Sequence, residues 1–148
     1  MWVLVLVAVL NAACSSLPVV VDGAPSTAFA EGHESALGRM FETQVRQHPG
    51  SSGVRLLNTG REALQVRVAL LEAAERAVDL QYYIWNGDYS GRLLAERVLD
   101  AADRGVRVRL LLDDFNIGDR DPMLFALDGH PSVEVRIYNP NANRTGLA

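Results

Sequence analysis

Between residues 61 and 114 the sequence alternates between helical and strand patterns, and this alternation constrains the fold more than any other feature. Apolar residues first recur at helical spacing. Residues 78–85 then switch to a period of two and are rich in aromatic and β-branched side chains, which is typical of a strand. A second helical pattern leads into another strand pattern at residues 106–112. Because strands that alternate with helices form parallel sheets, we predict an α/β fold with a mostly parallel sheet and flanking helices.

Local signals predict where the elements begin and end. Ser90 is predicted to cap the second helix and Gly105 to end it. The leucines at residues 110–112 predict a strand that is buried on both faces. Residues 119–127 have the pattern of a short helix, and residues 133–138 alternate as a last strand. The predicted sheet therefore has about three or four strands.

The start of the chain has the pattern of an export signal. Residues 1–10 form an uninterrupted apolar run. This run is too short to span a hydrocarbon core of about 30 Å as a helix, but it matches the apolar region of a secretory signal. Cys14 follows Ala12 and Ala13, an arrangement that resembles a bacterial lipoprotein signal. The resemblance implies a signal peptide over residues 1–13, lipidation of Cys14, and an exported protein anchored in the bacterial cell envelope.

Two features of this segment leave other interpretations open. Asn11 stands where lipoprotein signals usually carry an aliphatic residue, and no Arg precedes the apolar run. The missing charge suggests that the true start lies upstream. The alternatives are an ordinary secretory signal, in which Cys14 is incidental, and a buried N-terminal strand.

Residues 14–53 are predicted to be a tether that precedes the folded domain. Proline, glycine and other small residues are scattered over residues 15–35 without any period. Residues 36–48 have helical spacing and predict a short amphipathic helix. A Pro-Gly-Ser-Ser-Gly stretch then breaks the chain at residues 49–53. The globular domain is therefore predicted to occupy residues 54–148.

Composition and motifs exclude several classes of function. The net charge of −4 gives no basic footprint for nucleic acid, and the single cysteine cannot form an internal disulfide. No Cys, His and Asp cluster has metal-ligand spacing, and neither a phosphate-binding glycine motif nor a serine nucleophile elbow is present. The histidines lie in the tether, beside a Pro-Gly break and in a turn. We predict no nucleic-acid partner, no metal, no cofactor and no catalytic histidine.

Polar residues follow the predicted end of each strand. Asp88 comes after the first strand, Asp113 and Asp114 after the second, and Asn139 and Asn141 after the third. In open parallel sheets, ligands bind beyond the carboxyl ends of the strands. These residues are therefore the predicted substrate-binding residues.

The adjacent aspartates Asp113 and Asp114 should point to opposite faces, since neighbouring strand residues do so. They are therefore poor candidates for a pair of carboxyls that share a proton. One could act in a site while the other caps the following loop, or Asp114 could simply start the turn at residues 115–118. A phosphoreceiver domain would need a lysine, and the chain has none. A haloacid-dehalogenase-type phosphatase would need D-x-D, whereas residues 113–116 are Asp-Asp-Phe-Asn.

Four short motifs follow one another within residues 54–144. They are Q-Y-Y-x-W at residues 81–85, D-x-x-G at residues 88–91, R-G-V-x-V-x-x-L-x-D-D at residues 104–114, and N-P at residues 139–140. Their order resembles the opening of one half of a phospholipase D-like enzyme, the superfamily whose catalytic signature is H-x-K-x4-D. Within that superfamily the sequence is similar to the cardiolipin-synthase-C-like branch of bacterial proteins.

The resemblance implies a definite chemistry. Complete members have two halves that each carry the signature. One histidine attacks the phosphodiester to form a phosphohistidine, and the other protonates the leaving alcohol without a metal ion. Phosphatidylglycerol as the acceptor gives cardiolipin, while water gives hydrolysis.

The 148 residues contain no lysine and hence no H-x-K. The resemblance therefore implies the N-terminal part of an exported phosphatidyltransferase or phosphodiesterase, an incomplete first lobe that is inactive alone. Its implied partners are membrane phospholipids and the missing C-terminal part of the same enzyme. A lipid-anchored, non-catalytic binding module is the alternative.

Overall fold

A computed structural model describes residues 25–117 and 121–140 of the chain. The predicted signal peptide at residues 1–13, the lipidation of Cys14 and the binding role of Asn141 lie outside the described residues and stay predictions. The helices and strands of the described part are α1 (Ala36–Gln47), α2 (Gly60–Ala73), β1 (Ala77–Tyr82), α3 (Tyr89–Asp103), β2 (Arg107–Asp113), α4 (Asp121–Asp128) and β3 (Val133–Tyr138). Short 3-10 helices lie at Gly32–Glu34 and Asp114–Asn116.

The three described strands form one parallel sheet in the order β1-β2-β3. Val78 of β1 is opposite Val108 of β2, which is opposite Val133 of β3. The α3 helix connects β1 to β2, and α4 connects β2 to β3. Neighbouring parallel strands need crossover connections of this kind. The helical segments between the strand patterns therefore predicted parallel pairing correctly. The predicted α/β fold with a mostly parallel sheet and flanking helices is confirmed.

The hydrophobic core lies on one face of this sheet. The strand side chains on that face cluster with buried residues of α3 and α4, such as Val98 and Leu124. Leu111 points to the other face and is only half-buried. Its neighbours in register there are the polar residues Gln81 and Arg136. The prediction that residues 110–112 are buried on both faces is therefore wrong, since the second face is polar. The buried residues of β2 are Val108, Leu110 and Leu112.

The cap predicted for the second helix is also wrong, because Asp88 and not Ser90 caps α3. Asp88 has an extended backbone, and its Oδ1 accepts a hydrogen bond from the Gly91 N–H at 3.0 Å. Ser90 already lies in the first helical turn, where its hydroxyl donates to Asp88 at 2.7 Å. A carboxylate is favourable at this position because its negative charge also interacts with the positive, N-terminal end of the helix dipole.

Other helix ends agree more closely with the sequence. Gly105 ends α3 as predicted: its φ is +85°, a conformation that glycine adopts without strain. The α1 helix, Ala36–Gln47, confirms the helix predicted at residues 36–48, although none of its residues is buried. None of the helices in the described part of the chain has the length and apolar composition needed to cross a bilayer.

The first strand is shorter than predicted. It ends at Tyr82, whereas the strand pattern extends to residue 85. Trp85 instead turns into the core and is 2% exposed. Its ring meets the Tyr82 ring edge-on, with the two centroids 4.9 Å apart. Burial of this large indole therefore outweighs the local preference for a longer strand.

Candidate functional site at the carboxyl edge of the sheet

The carboxyl ends of the three strands lie at one edge of the sheet and surround a small cleft. Asp113 of β2 is opposite Tyr138 of β3 there, and Leu112 is opposite Tyr82 of β1. The cleft has a volume of about 140 Å³ and is lined by Gln81, Tyr82, Tyr83, Leu111, Asp113 and Tyr138. Its edge position is where parallel sheets bind ligands. We therefore take it as the candidate site.

Asp113 is the predicted site residue that lines this cleft. Its side chain is half-buried, and its Oδ1 accepts a hydrogen bond from the Phe115 N–H at 2.9 Å. Asp113 thus caps the 3-10 helix Asp114–Asn116. The alternative in which Asp114 starts this turn is confirmed, because the 3-10 helix begins at Asp114, while the carboxylate that caps it belongs to Asp113.

Asp114 is 1% exposed, whereas Asp113 lines the cleft, so the two neighbouring carboxyl groups lie in different surroundings. That the two carboxyls do not share a proton stays a prediction. A role for Asp114 in ligand binding stays a prediction.

Asp88 has a structural role that accounts for its carboxylate. The hydrogen bond from the Gly91 N–H, followed by that from the Ser90 hydroxyl, lowers the pKa of Asp88 from its ordinary value. The group is therefore ionised at neutral pH and holds the first turn of α3. Its predicted contact with substrate stays a prediction.

Asn139 follows β3 directly and turns the chain at the edge of the sheet. Its φ is +54°, in the left-handed region that asparagine tolerates better than most residues. The side chain is exposed at the same edge as the cleft. The binding role predicted for Asn139 stays a prediction.

Sequence reasoning missed several residues of the cleft with polar groups, among them Gln81 and Tyr138. The sequence does indicate which strand residues share a face of the sheet with Asp113, because side chains two residues apart on a strand point to the same side. Gln81 pairs in register with Leu111, and Tyr138 pairs with Asp113. The missing information was the register, which single strands do not specify.

The described residues offer no obvious metal site. Within residues 25–117 and 121–140, no three His, Cys, Asp or Glu side chains are placed to hold a metal ion. His130 lies in the turn before β3, where its Nε2 is 3.2 Å from Asp103 Oδ1. Its Nδ1 accepts a hydrogen bond from the Ser132 N–H at 3.1 Å. These contacts hold His130 in the turn. The turn lies at the edge of the sheet opposite the cleft.

The second face of the sheet carries a bidentate ion pair. Arg109 Nε and Nη2 each lie 2.6 Å from an oxygen of Asp79, which is opposite Arg109 in register. The same guanidinium donates to the Ser26 carbonyl at 3.0 Å. The hydrogen bond from Arg109 lowers the pKa of Asp79, and burial opposes this shift. The pair ties the chain before α1 to the sheet.

We expect Asp79→Asn to lower stability at neutral pH and to lose this effect in acid. The folded-state pKa of Asp79 lies below the unfolded value, so its contribution is present above about pH 4 and disappears as the pH falls through the folded-state pKa. The change is small because both side chains are partly exposed to solvent, which screens the ion pair. Urea unfolding at about pH 7 and about pH 2 measures it, with Glu96→Gln on the exposed side of α3 as the control. Equal destabilisation at both pH values would contradict the assignment.

Comparison with curated proteins places the sequence in a family. Cardiolipin synthase C of Escherichia coli (strain K12) is 53% identical over 94 residues, which cover 64% of this chain and 20% of that protein. The cardiolipin synthase of Geobacillus kaustophilus is 35% identical over 98 residues, covering 65% of this chain and 18% of that protein. The chain belongs to the cardiolipin synthase branch of the phospholipase D-like proteins.

An uncharacterized protein of Helicobacter pylori is 34% identical to this phospholipase D-like chain over 108 residues, covering 73% of this chain and 22% of that protein. The chain thus spans about a fifth of the length of the curated relatives it matches. Its parallel sheet with flanking helices is consistent with an incomplete lobe of a phospholipase D-like fold. No protein-family model matches the sequence.

Among solved structures, TrmBL2, an archaeal chromatin protein, is 16% identical with a TM-score of 0.46. The match covers 71% of this chain and 42% of that chain. A likeness this distant carries no argument about this phospholipase D-like chain.

Proposed function

We propose that this chain is part of a phospholipase D-like enzyme that transfers phosphatidyl groups between membrane phospholipids. The observation that carries the proposal is the 53% identity to a cardiolipin synthase over 94 residues. The carboxyl-edge cleft supports it, because that edge of a parallel sheet is where substrates bind.

The residues of the cleft suit one part of such a substrate. Asp113 is an acceptor, so it favours the hydroxyls of a glycerol headgroup and disfavours a phosphate. Gln81 and the Tyr138 hydroxyl can donate and accept beside it. In this proposal the edge holds the alcohol that accepts the phosphatidyl group.

In this proposal the covalent step is not assigned to these 148 residues. Attack on a phosphodiester needs a neutral imidazole nucleophile, a general acid on the opposite side and cationic donors for the phosphoryl oxygens. This sequence has no H-x-K pair, and His130 lies at the far edge of the sheet, against Asp103. We therefore assign to the chain the binding and positioning of substrate, and not the chemistry.

We expect the purified 148-residue chain to form no cardiolipin from phosphatidylglycerol vesicles. The reason is the missing nucleophile, since binding alone does not lower the barrier to phosphodiester cleavage. Thin-layer chromatography of radiolabelled lipid measures the product, with Escherichia coli cardiolipin synthase C as the positive control. Cardiolipin that increases in proportion to the concentration of the isolated chain would contradict this division of labour.

A further inference from the structure

The chain before α1 lies on the second face of the sheet, and we call residues 26–34 the strap. Backbone carbonyl oxygens of the strap accept hydrogen bonds from two arginines of β2. Arg109 Nη1 donates to Ser26 at 3.0 Å, and Arg107 Nη2 donates to Thr27 at 2.8 Å. Every residue has a backbone carbonyl, so these contacts set the path of the strap without selecting its sequence.

Side chains of the strap add contacts that do depend on its sequence. The Phe29 ring lies against two guanidinium groups, with its centre 4.3 Å from Arg107 Cζ and 4.9 Å from Arg76 Cζ. Arg76 also lies 3.5 Å from a carboxylate oxygen of Glu34 and 3.8 Å from one of Glu31. Guanidinium groups bind both aromatic faces and carboxylates. The face therefore binds an extended segment in which an aromatic residue is followed by two acidic residues.

The strap is bound at the surface and not embedded in the core. All of its residues are exposed, and Phe29 keeps 44% of its surface in contact with solvent. An open groove of about 390 Å³ lies between the strap and the end of α2, lined by residues of both such as Gly32 and Leu70. Because little apolar surface is buried, the strap can leave the sheet and return without unfolding of the core.

The connection between the strap and the domain is long enough to reach a second copy of the chain. The α1 helix, which follows the strap, has no buried residue. Residues 49–58 then connect α1 to the cap of α2, and all of them except Leu57 are exposed. A link of this length spans up to about 33 Å when it is extended. The strap can therefore lie on the sheet of a neighbouring chain and make the same contacts there.

We propose that the second face of the sheet binds the strap of a second copy, so that two chains exchange their straps. A second copy carries the same aromatic residue and the same two carboxylates as the strap described on this face. Exchange replaces each contact by an identical one and needs no new surface. Within one chain the strap has an effective concentration of about millimolar, so it competes with the strap of the second copy. The inference goes beyond phosphatidyl transfer and is independent of it, since no lipid takes part.

Two complementary variants of the full chain test the exchange. Phe29→Ala weakens the strap and leaves the sheet face intact, whereas Arg107→Gln weakens the face and leaves the strap intact. Neither variant should pair with itself, but their mixture should form a heterodimer in which the intact strap binds the intact face. We expect its dissociation constant to be at least about tenfold lower than that for self-association of either variant. Analytical ultracentrifugation with one variant fluorescently labelled measures both constants.

The matched control mixes Phe41→Ala with Arg46→Gln, which make the same two kinds of change in α1. Phe41 is 53% exposed, and Arg46 pairs with a glutamate of the same helix. This mixture should form no more dimer than the parent chain. A peptide of residues 25–35 should dissociate the heterodimer, and the same peptide with Phe29→Ser should not.

Arg76→Gln is a second variant of the face, and it lies before β1 and so outside the sheet. It should also pair with Phe29→Ala. The proposal is overturned if neither mixture forms a heterodimer while the variants unfold at the same urea concentration as the parent chain. It is also overturned if the control mixture forms as much dimer, since another surface would then join the chains. A heterodimer that persists in excess peptide would show that the strap does not hold it together.

Discussion

Gly91→Ala is expected to destabilise the chain by about 3 kcal/mol or more, which is a large part of the stability of a small domain. An added Cβ would lie 1.7 Å from the Asn86 carbonyl oxygen and 3.3 Å from Trp85 Nε1. The oxygen belongs to the backbone, so no side-chain rotation relieves the clash. Any shift of α3 would also break the cap in which Asp88 accepts from the Gly91 N–H.

Urea unfolding measures this difference, and Gly60→Ala is the matched control. Gly60 also lies in the first turn of a helix, but apart from its chain neighbours and its own helix backbone, no atom of the described residues lies within 4 Å of its added Cβ. Alanine there should leave stability unchanged or raise it slightly, by roughly 0–1 kcal/mol. A Gly91→Ala variant within about 0.5 kcal/mol of the parent chain would show that α3 does not approach the loop after β1 as closely as described.

The sequence predicted those features of the fold that depend on local pattern. The parallel pairing of β1 and β2 followed from the helix between them, and the end of α3 followed from Gly105. The same local reasoning predicted Ser90 as a cap and failed. Asp88 and Ser90, which are two positions apart, are both residue types that favour caps, and only the path of the chain after Trp85 decides between them.

The candidate site was predictable in position but only partly in composition. Asp113 is the last residue of β2, and its place at the carboxyl edge could be predicted without tertiary information. Gln81 and Tyr138 join it through the register between strands, which depends on packing.

A chimera gives the second large expected effect. In it, the 94 matched residues of this chain replace their counterparts in Escherichia coli cardiolipin synthase C. We expect activity within about tenfold of that parent enzyme, because protein cores tolerate many simultaneous hydrophobic substitutions when total volume and patterning are kept. Gly91→Ala in the chimera should reduce activity at least about hundredfold by misplacing α3, whereas Gly60→Ala should not.

Cardiolipin formation by this chimera tests most directly the claim that the chain is a substrate-positioning part of a phosphatidyl-transferring enzyme. We expect the chimera to form cardiolipin from phosphatidylglycerol and the isolated chain to form none. A chimera that unfolds at the same urea concentration as its parent, yet forms no cardiolipin, would contradict it.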